Sequence, residues 1–189
     1  ITVLDALAVE VSKGIHAITG EAYLENLSKF DIVFRTPGIP LSLPAIAKAR
    51  RAGTVISSAT KLFFERCPAT VIGITGTKGK GTTATLIYKM LKAGKKDVRL
   101  VGNIGAPALD VLPKLKKSSW VVFELSSFQL QDLTESPEIA VVVDMFPDHQ
   151  DAHQSIPEYY AAKSSITKWQ GSRDRAFFFS DNAQSRKIG

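Results

Sequence analysis

The chain of 189 residues is 44% hydrophobic and 22% charged, which is enough apolar material for a buried core and is the composition of a soluble globular protein. No apolar run approaches the roughly 18 residues that cross a bilayer, and the first twenty or so residues lack the basic start, apolar centre and small-residue cleavage site of a secretory signal; no membrane partner is expected and the cytoplasm is the default location. The net charge of +6 comes from scattered Lys and Arg with no basic stripe interleaved with aromatics, a pattern that suits small anions and excludes nucleic acid as an expected partner.

Taken in chain order, ITVLD (1–5), DIVFRT (31–36) and TVIS (54–57) are short β-branched runs, with helical stretches at about 42–52 and 58–66 between and after them. The helix from Ser42 closes on Arg50, Arg51, Ala52 and Gly53, basic residues in the last turn and glycine at the cap. The lone Cys67 cannot form an internal disulfide, and beside Pro68 it is assigned a packing role. A boundary near residues 65–70 separates this block, residues 1–67, from a second one, residues 68–189. There VIGIT (71–75), a helix at about 80–93, DVRLVG (97–102), WVVFEL (120–125), IAVVVDM (139–145), a helix at about 156–169 and AFFFS (176–180) follow one another. Near-continuous apolar strands alternating with helices predict a doubly wound α/β fold around a parallel sheet. Ile1 stands directly in a strand-like run and Gly189 follows soon after another, so both ends read as cut.

The segment GITGTKGKGTT follows an apolar strand and opens a helix whose Leu86, Ile87, Met90 and Leu91 recur at helical spacing. That context is what a phosphate loop requires: glycines turn backbone N–H groups toward an anion, the helix N-terminus adds its positive dipole end, and a lysine reaches the outer phosphates. Gly73, Gly76, Thr77, Lys78, Gly79, Lys80, Gly81, Thr82 and Thr83 form the expected ATP cradle, with Lys80 as its catalytic cation. Gly81 stands where such loops carry Ser or Thr, so Thr82, one residue later, is the expected magnesium hydroxyl. The plain alternative is a glycine-rich turn with a solvated lysine.

Ligands of open parallel sheets bind beyond the carboxyl ends of the strands, and polar residues stand just there. Asn103 lies in GNIG, Glu124 precedes SSFQ, and Asp148, His149 and Asp151 lie in PDHQD. Glu124 and His149 are suited to a Mg²⁺ shell, since that ion takes few protein groups and keeps several waters; singly, the first reads equally as a cap and the second as a loop residue. In the following helix Ser155 and Glu158 have capping-box spacing, and Lys163 shares the apolar face of Ile156, Tyr159 or Tyr160, and Ile166. Such a lysine either snorkels, pairs with a carboxylate, or points into the nucleotide site.

TGTKGKGTT, GNIGAPAL, ELSSFQL, DHQD and YYAAK, in this order, resemble the Mur ligases of peptidoglycan synthesis, and within them the D-glutamate-adding branch. Upstream, HAITGEAYLENLSKF and the run that follows it to LFF resemble the end of the family's UDP-binding, Rossmann-like N-terminal domain, so the resemblance covers nearly the whole chain. It implies an ATP-dependent, amide-bond-forming ligase of cell wall biogenesis, hence of cell shape and division. Such an enzyme phosphorylates the carboxylate of UDP-N-acetylmuramoyl-L-alanine and lets the D-glutamate amine displace phosphate, with ATP and Mg²⁺, as a cytoplasmic monomer. By the same resemblance Lys80 and the loop glycines hold the ATP phosphates, and Glu124 and His149 are magnesium-site residues. Lys163 matches the lysine that is carbamylated in the family, where an added CO₂ turns the cation into a metal-binding anion. Asn103, Ser126, Gln129 and His149 lie near the muramoyl-alanine end of the substrate, Gly38 lines the UDP pocket, and Asp5 is the acid near the uridine. Gly81 and Pro147 depart from the family pattern. A lysine-glycine pair followed by hydroxyl residues is a habit of the related folylpolyglutamate synthetases, which stay as one alternative; a non-catalytic nucleotide-binding module is the other. The resemblance also places a UDP loop before Ile1 and the D-glutamate-binding domain after Gly189, so the chain as given is expected not to complete the reaction alone.

Overall fold

The computed structural model describes residues 1–147 and 155–189. The described chain forms two compact units, Ile1–Arg35 with Ile39–Ser57, and Thr36–Gly38 with Ser58–Gly189. In the first unit β1 (Thr2–Asp5) pairs in parallel with β2 (His16–Thr19). The second of these strands is absent from the sequence reading because all four of its residues are exposed and no apolar alternation marks it. β3 (Ile32–Arg35) and β4 (Val55–Ser58) pair with each other. Between them α1 (Pro44–Arg51) starts with proline in its first turn, where a missing N–H costs nothing, and ends on Arg50 and Arg51 before Gly53, whose φ of 96° makes the turn. Its buried Ile46 and Ala49 pack with Leu27, Val33 and Ile56 in a small core.

α2 (Ala59–Arg66) is capped by Ser58, whose Oγ accepts the Lys61 N–H at 3.1 Å. The division at Ser57 and Ser58 lies ahead of the 67/68 boundary read from sequence because this helix packs with the second unit. Phe63, fully buried, meets the Phe123 ring edge-on at 5.3 Å, and Phe64 stacks on it at 5.7 Å. Phe63→Ala should therefore cost about 3–5 kcal/mol of stability, read from the urea midpoint; a loss below about 1 kcal/mol would contradict this packing.

The second unit continues with β5 (Thr70–Thr75), α3 (Lys80–Ala93), β6 (Val98–Gly102), α4 (Ala108–Val111), β7 (Trp120–Glu124), α5 (Ser127–Leu130), β8 (Ile139–Val142), α6 (Ile156–Lys168), β9 (Arg175–Phe178) and α7 (Ala183–Ile188). The five strands form one parallel sheet in the order β6-β7-β5-β8-β9. Alternate residues serve opposite faces. Val71, Val121, Phe123, Ala140 and Val142 point into a core shared with α2 and α6, while Ile72, Ile74 and Val122 pack on Ala84, Ile87 and Leu91 of α3. The predicted doubly wound α/β architecture is therefore the observed one. The chain leaves β5 for β6 and β7 on one side and later returns to β8 on the other, so β5 ends at the topological switch point, where such sheets bind ligands. Among the described residues no helix is long and apolar enough to cross a membrane.

Candidate functional site

The turn from β5 into α3 is shaped by two glycines with different tasks. Gly76 has φ 149°, and a Cβ there would overlap the Val143 side chain and come within 3.1 Å of the Asp144 carbonyl. Gly79, at φ 85°, precedes the first residue of α3 and has nothing within 4 Å of where a Cβ would stand. The first glycine permits close packing on the segment after β8; the second leaves open space before a fourteen-residue helix, the position an anion takes.

That loop is pinned from below. The Thr77 N–H donates to the Asp144 carbonyl at 2.7 Å, and the Lys78 N–H reaches the same oxygen at 3.4 Å. The Thr77 hydroxyl accepts the Phe146 N–H at 2.9 Å and lies 2.9 Å from both the Phe146 carbonyl and the Tyr159 hydroxyl. Thr77 thus binds the protein rather than open space. Lys80 Nζ folds back to donate to the Thr77 carbonyl at 3.0 Å. Lys163, only 2% exposed, donates to the Gly76 carbonyl at 2.7 Å and to Thr75 Oγ1 at 3.4 Å, with its ammonium 4.9 Å from the centre of the Tyr159 ring. The apolar face of α6 therefore delivers this lysine to the root of the glycine-rich loop.

Glu124 ends β7, registered against Ile74 of β5 and Gly102 of β6. Gly102 has φ 111°, and a Cβ on it would overlap the Glu124 carbonyl; the Asn103 N–H donates to that same carbonyl at 3.3 Å. The Glu124 carboxylate is 6% exposed, and its Oε2 has no hydrogen-bond partner among the described residues. A buried carboxylate oxygen without a partner is costly unless a cation or water meets it. The Cβ position of Gly81 lies 3.5 Å from that oxygen, so the residue facing Glu124 is Gly81, while Thr82, a helical step of about 100° further round, is exposed.

Other expected residues have local roles. Ser126 and Gln129 form the capping box of α5: Ser126 Oγ accepts the Gln129 N–H at 3.2 Å, and Gln129 Oε1 accepts the Ser126 N–H at 2.9 Å. Asn103 is exposed at the tip after β6, beside the open end of the sheet. Thr83 donates its N–H to the Gly79 carbonyl, an ordinary first-turn bond of α3. In the first unit Asp5 Oδ1 accepts the Leu7 N–H at 2.8 Å, and Gly38, in the second, has open space where a Cβ would stand. His149, with Asp148 and Asp151, lies outside the described residues. Among the described residues no three His, Cys, Asp or Glu side chains converge. Sequence reading missed Tyr159 as a partner of Thr77 and Asp144 as the acceptor beneath the loop. The first reads simply as part of an apolar stripe; the second had a signal, a carboxylate closing a buried strand beside the loop strand.

With a glycine-rich loop at the switch point of a parallel sheet and a partnerless carboxylate oxygen beside it, the chain belongs to the Mur ligase family: residues 74–188 match the Mur ligase middle domain. UDP-N-acetylmuramoylalanine--D-glutamate ligase of Acetivibrio thermocellus is 46% identical over 169 residues, 89% of this chain and 36% of the relative. The enzyme of the same name from Clostridium botulinum strain Kyoto is 41% identical over 174 residues, 90% of this chain and 38% of the relative. The chain thus spans little more than a third of the length of these relatives. Among solved structures, UDP-N-acetylmuramate:L-alanyl-gamma-D-glutamyl-meso-diaminopimelate ligase from Neisseria meningitides is similar with a TM-score of 0.60 at 16% identity, covering 93% of this chain and 60% of that one. MurF from Acinetobacter baumannii follows with 0.53 at 16% identity, covering 85% and 44%. These two likenesses show the fold.

Proposed function

We propose that the chain is the ATP-binding part, with the end of the UDP-binding part, of a ligase that joins D-glutamate to UDP-N-acetylmuramoyl-L-alanine through an acyl phosphate. The observation that carries the reading is the buried, partnerless Glu124 Oε2 beside a phosphate loop, in a chain 46% identical to a ligase of that name. On this reading residues 1–67 belong to the UDP-binding domain and residues 68–189 to the ATP-binding domain.

The loop residues divide the work. Lys80 exchanges the Thr77 carbonyl for the outer phosphates of ATP, and the amides following Gly79 receive phosphate oxygens at the helix N-terminus. Thr77 and Lys78 hold the loop in shape through Asp144. The donor set fits Mg²⁺: a hard cation that takes one or two carboxylates and keeps its waters suits a lone buried carboxylate oxygen. Glu124 would hold it, with His149 and a carbamylated Lys163 as further ligands, whereas Gly81 offers no hydroxyl and Thr82 is exposed. When bound, the ion supplies charge neutralisation to the transferring phosphoryl group. Asn103 and the Gln129 amide group face the muramoyl-alanine end, Gln129 donating its NH₂ hydrogens while its oxygen keeps the Ser126 cap.

The intact protein should release phosphate from ATP only when UDP-N-acetylmuramoyl-L-alanine and D-glutamate are both present. Phosphate release that follows a reduced folate instead would transfer the chain to the folylpolyglutamate synthetases, and release without any acceptor would refute both.

A further inference from the structure

The floor under the phosphate loop is itself held by a side chain far along the sequence. Asn182 stands at the N-cap of α7, and its Oδ1 accepts the Ser185 N–H at 2.8 Å. Its amide nitrogen spends both hydrogens on the segment after β8, donating to Asp144 Oδ1 at 2.9 Å and to the Met145 carbonyl at 2.9 Å. Ser185, fully buried, anchors the same helix by donating to the Val142 carbonyl at 2.7 Å and accepting the Phe179 N–H at 3.0 Å. Asp144 in turn receives the Thr77 and Lys78 amides on its backbone oxygen, and Phe146 exchanges hydrogen bonds with the Thr77 hydroxyl. A continuous series therefore runs from α7 through Asn182 to the segment 144–146 and on to the loop that starts at Gly76.

We propose that Asn182 is a positioning residue of the nucleotide site, its neutral amide fixing the Asp144–Phe146 segment on which the phosphate loop rests; this deepens the reading of the loop as an ATP site and depends on it. The residue type matters on both ends of the bond. Asp144 brings an acceptor and a negative charge close to where phosphates bind, and only a donor can hold that carboxylate in place. A carboxylate at 182 would keep the helix cap, since an aspartate is as good an N-cap as an asparagine, yet set two acceptors of like charge at hydrogen-bond distance. The segment would then move, the loop would lose its support, and the loop would have to be ordered by the nucleotide at a cost in affinity. Separating the two tasks of one side chain, cap and support, makes the assignment testable.

The test is isothermal titration of ATP with Mg²⁺ into the intact protein and its variants, each checked by circular dichroism and thermal melting. Asn182→Asp is expected to weaken ATP about tenfold, with native circular dichroism and a lowered melting temperature. Asn182→Ser, which also caps but adds no charge, is expected to weaken it by a smaller factor. The double exchange Asp144→Asn with Asn182→Asp restores the donor–acceptor pair between 144 and 182 in reversed order but not the donor to the Met145 carbonyl, and is expected to bind ATP at least about threefold tighter than Asn182→Asp alone. Parent-like affinity in both single variants, or a folded double variant no tighter than Asn182→Asp, would overturn the assignment. If instead Lys80→Ala leaves ATP binding unchanged, it is the nucleotide reading that fails, whatever the 182 variants do.

Discussion

Lys80→Ala lowers the affinity for ATP with Mg²⁺ by at least about tenfold while leaving the fold intact. The magnitude follows from the chemistry of the contact: a hydrogen bond between a charged donor and a charged acceptor contributes about 1.5–3 kcal/mol, and about 1.4 kcal/mol is tenfold in binding. The fold is spared because Lys80 is only half-buried and, among the described residues, its ammonium makes one bond, to the Thr77 carbonyl, which water can replace. Lys80→Arg recovers little of the loss, since a planar fork does not fit where a compact ammonium turns back over its own loop. Titration calorimetry reads the difference directly. Equal affinity in Lys80→Ala and the parent would mean that the glycine-rich segment is only a turn.

The second large effect is expected at Gly76 and is best seen against Gly79. Alanine at 76 combines a backbone conformation that L-residues avoid, φ 149°, with a methyl group that overlaps Val143. Backbone strain and overpacking each cost about 1–3 kcal/mol, so the sum is about 2–6 kcal/mol, and the loop moves off the segment that holds it. Alanine at 79 meets nothing within 4 Å, so its stability cost is the left-handed backbone alone, about 1–2 kcal/mol. Its methyl group nonetheless projects into the space assigned to phosphate. Urea denaturation should therefore rank Gly76→Ala well below Gly79→Ala in stability, while calorimetry should find ATP binding impaired in both. Equal stabilities would contradict the packing of Gly76 on Val143.

Much of this molecule is legible in its sequence because parallel strands buried on both faces are near-continuous apolar runs. Each strand of the five-stranded sheet overlaps an expected run, and α3 begins at Lys80 as its glycines and periodicity require. What escaped is what periodicity cannot encode. β2 is wholly exposed, and α4, α5 and α7 are of four to six residues, too short to show a repeat. The compact units divide upstream of residues 65–70, at Ser57 and Ser58, and Phe63 and Phe64 find their partner, Phe123, on a distant strand. At the site, the residue types at the strand ends were readable from position alone, Glu124 and Asn103 among them. Which hydroxyl faces the carboxylate was not: a one-residue shift on a helix is a turn of about 100°, and the structure sets Gly81 rather than Thr82 beside Glu124. The Asn182 to Asp144 link was equally hidden, since it joins residues 38 apart in sequence.

The central claim is that this loop and this carboxylate serve phosphoryl transfer to a substrate carboxylate, followed by attack of an amine. The most direct measurement uses UDP-N-acetylmuramoyl-L-alanine whose terminal carboxylate is labelled with heavy oxygen, incubated with the intact protein, ATP, Mg²⁺ and D-glutamate, with the released phosphate analysed by mass spectrometry. The account predicts that one heavy oxygen appears in each phosphate released, because the carboxylate oxygen that was phosphorylated departs with the phosphoryl group when the amide forms. Phosphate that carries no label while the amide product accumulates would contradict it.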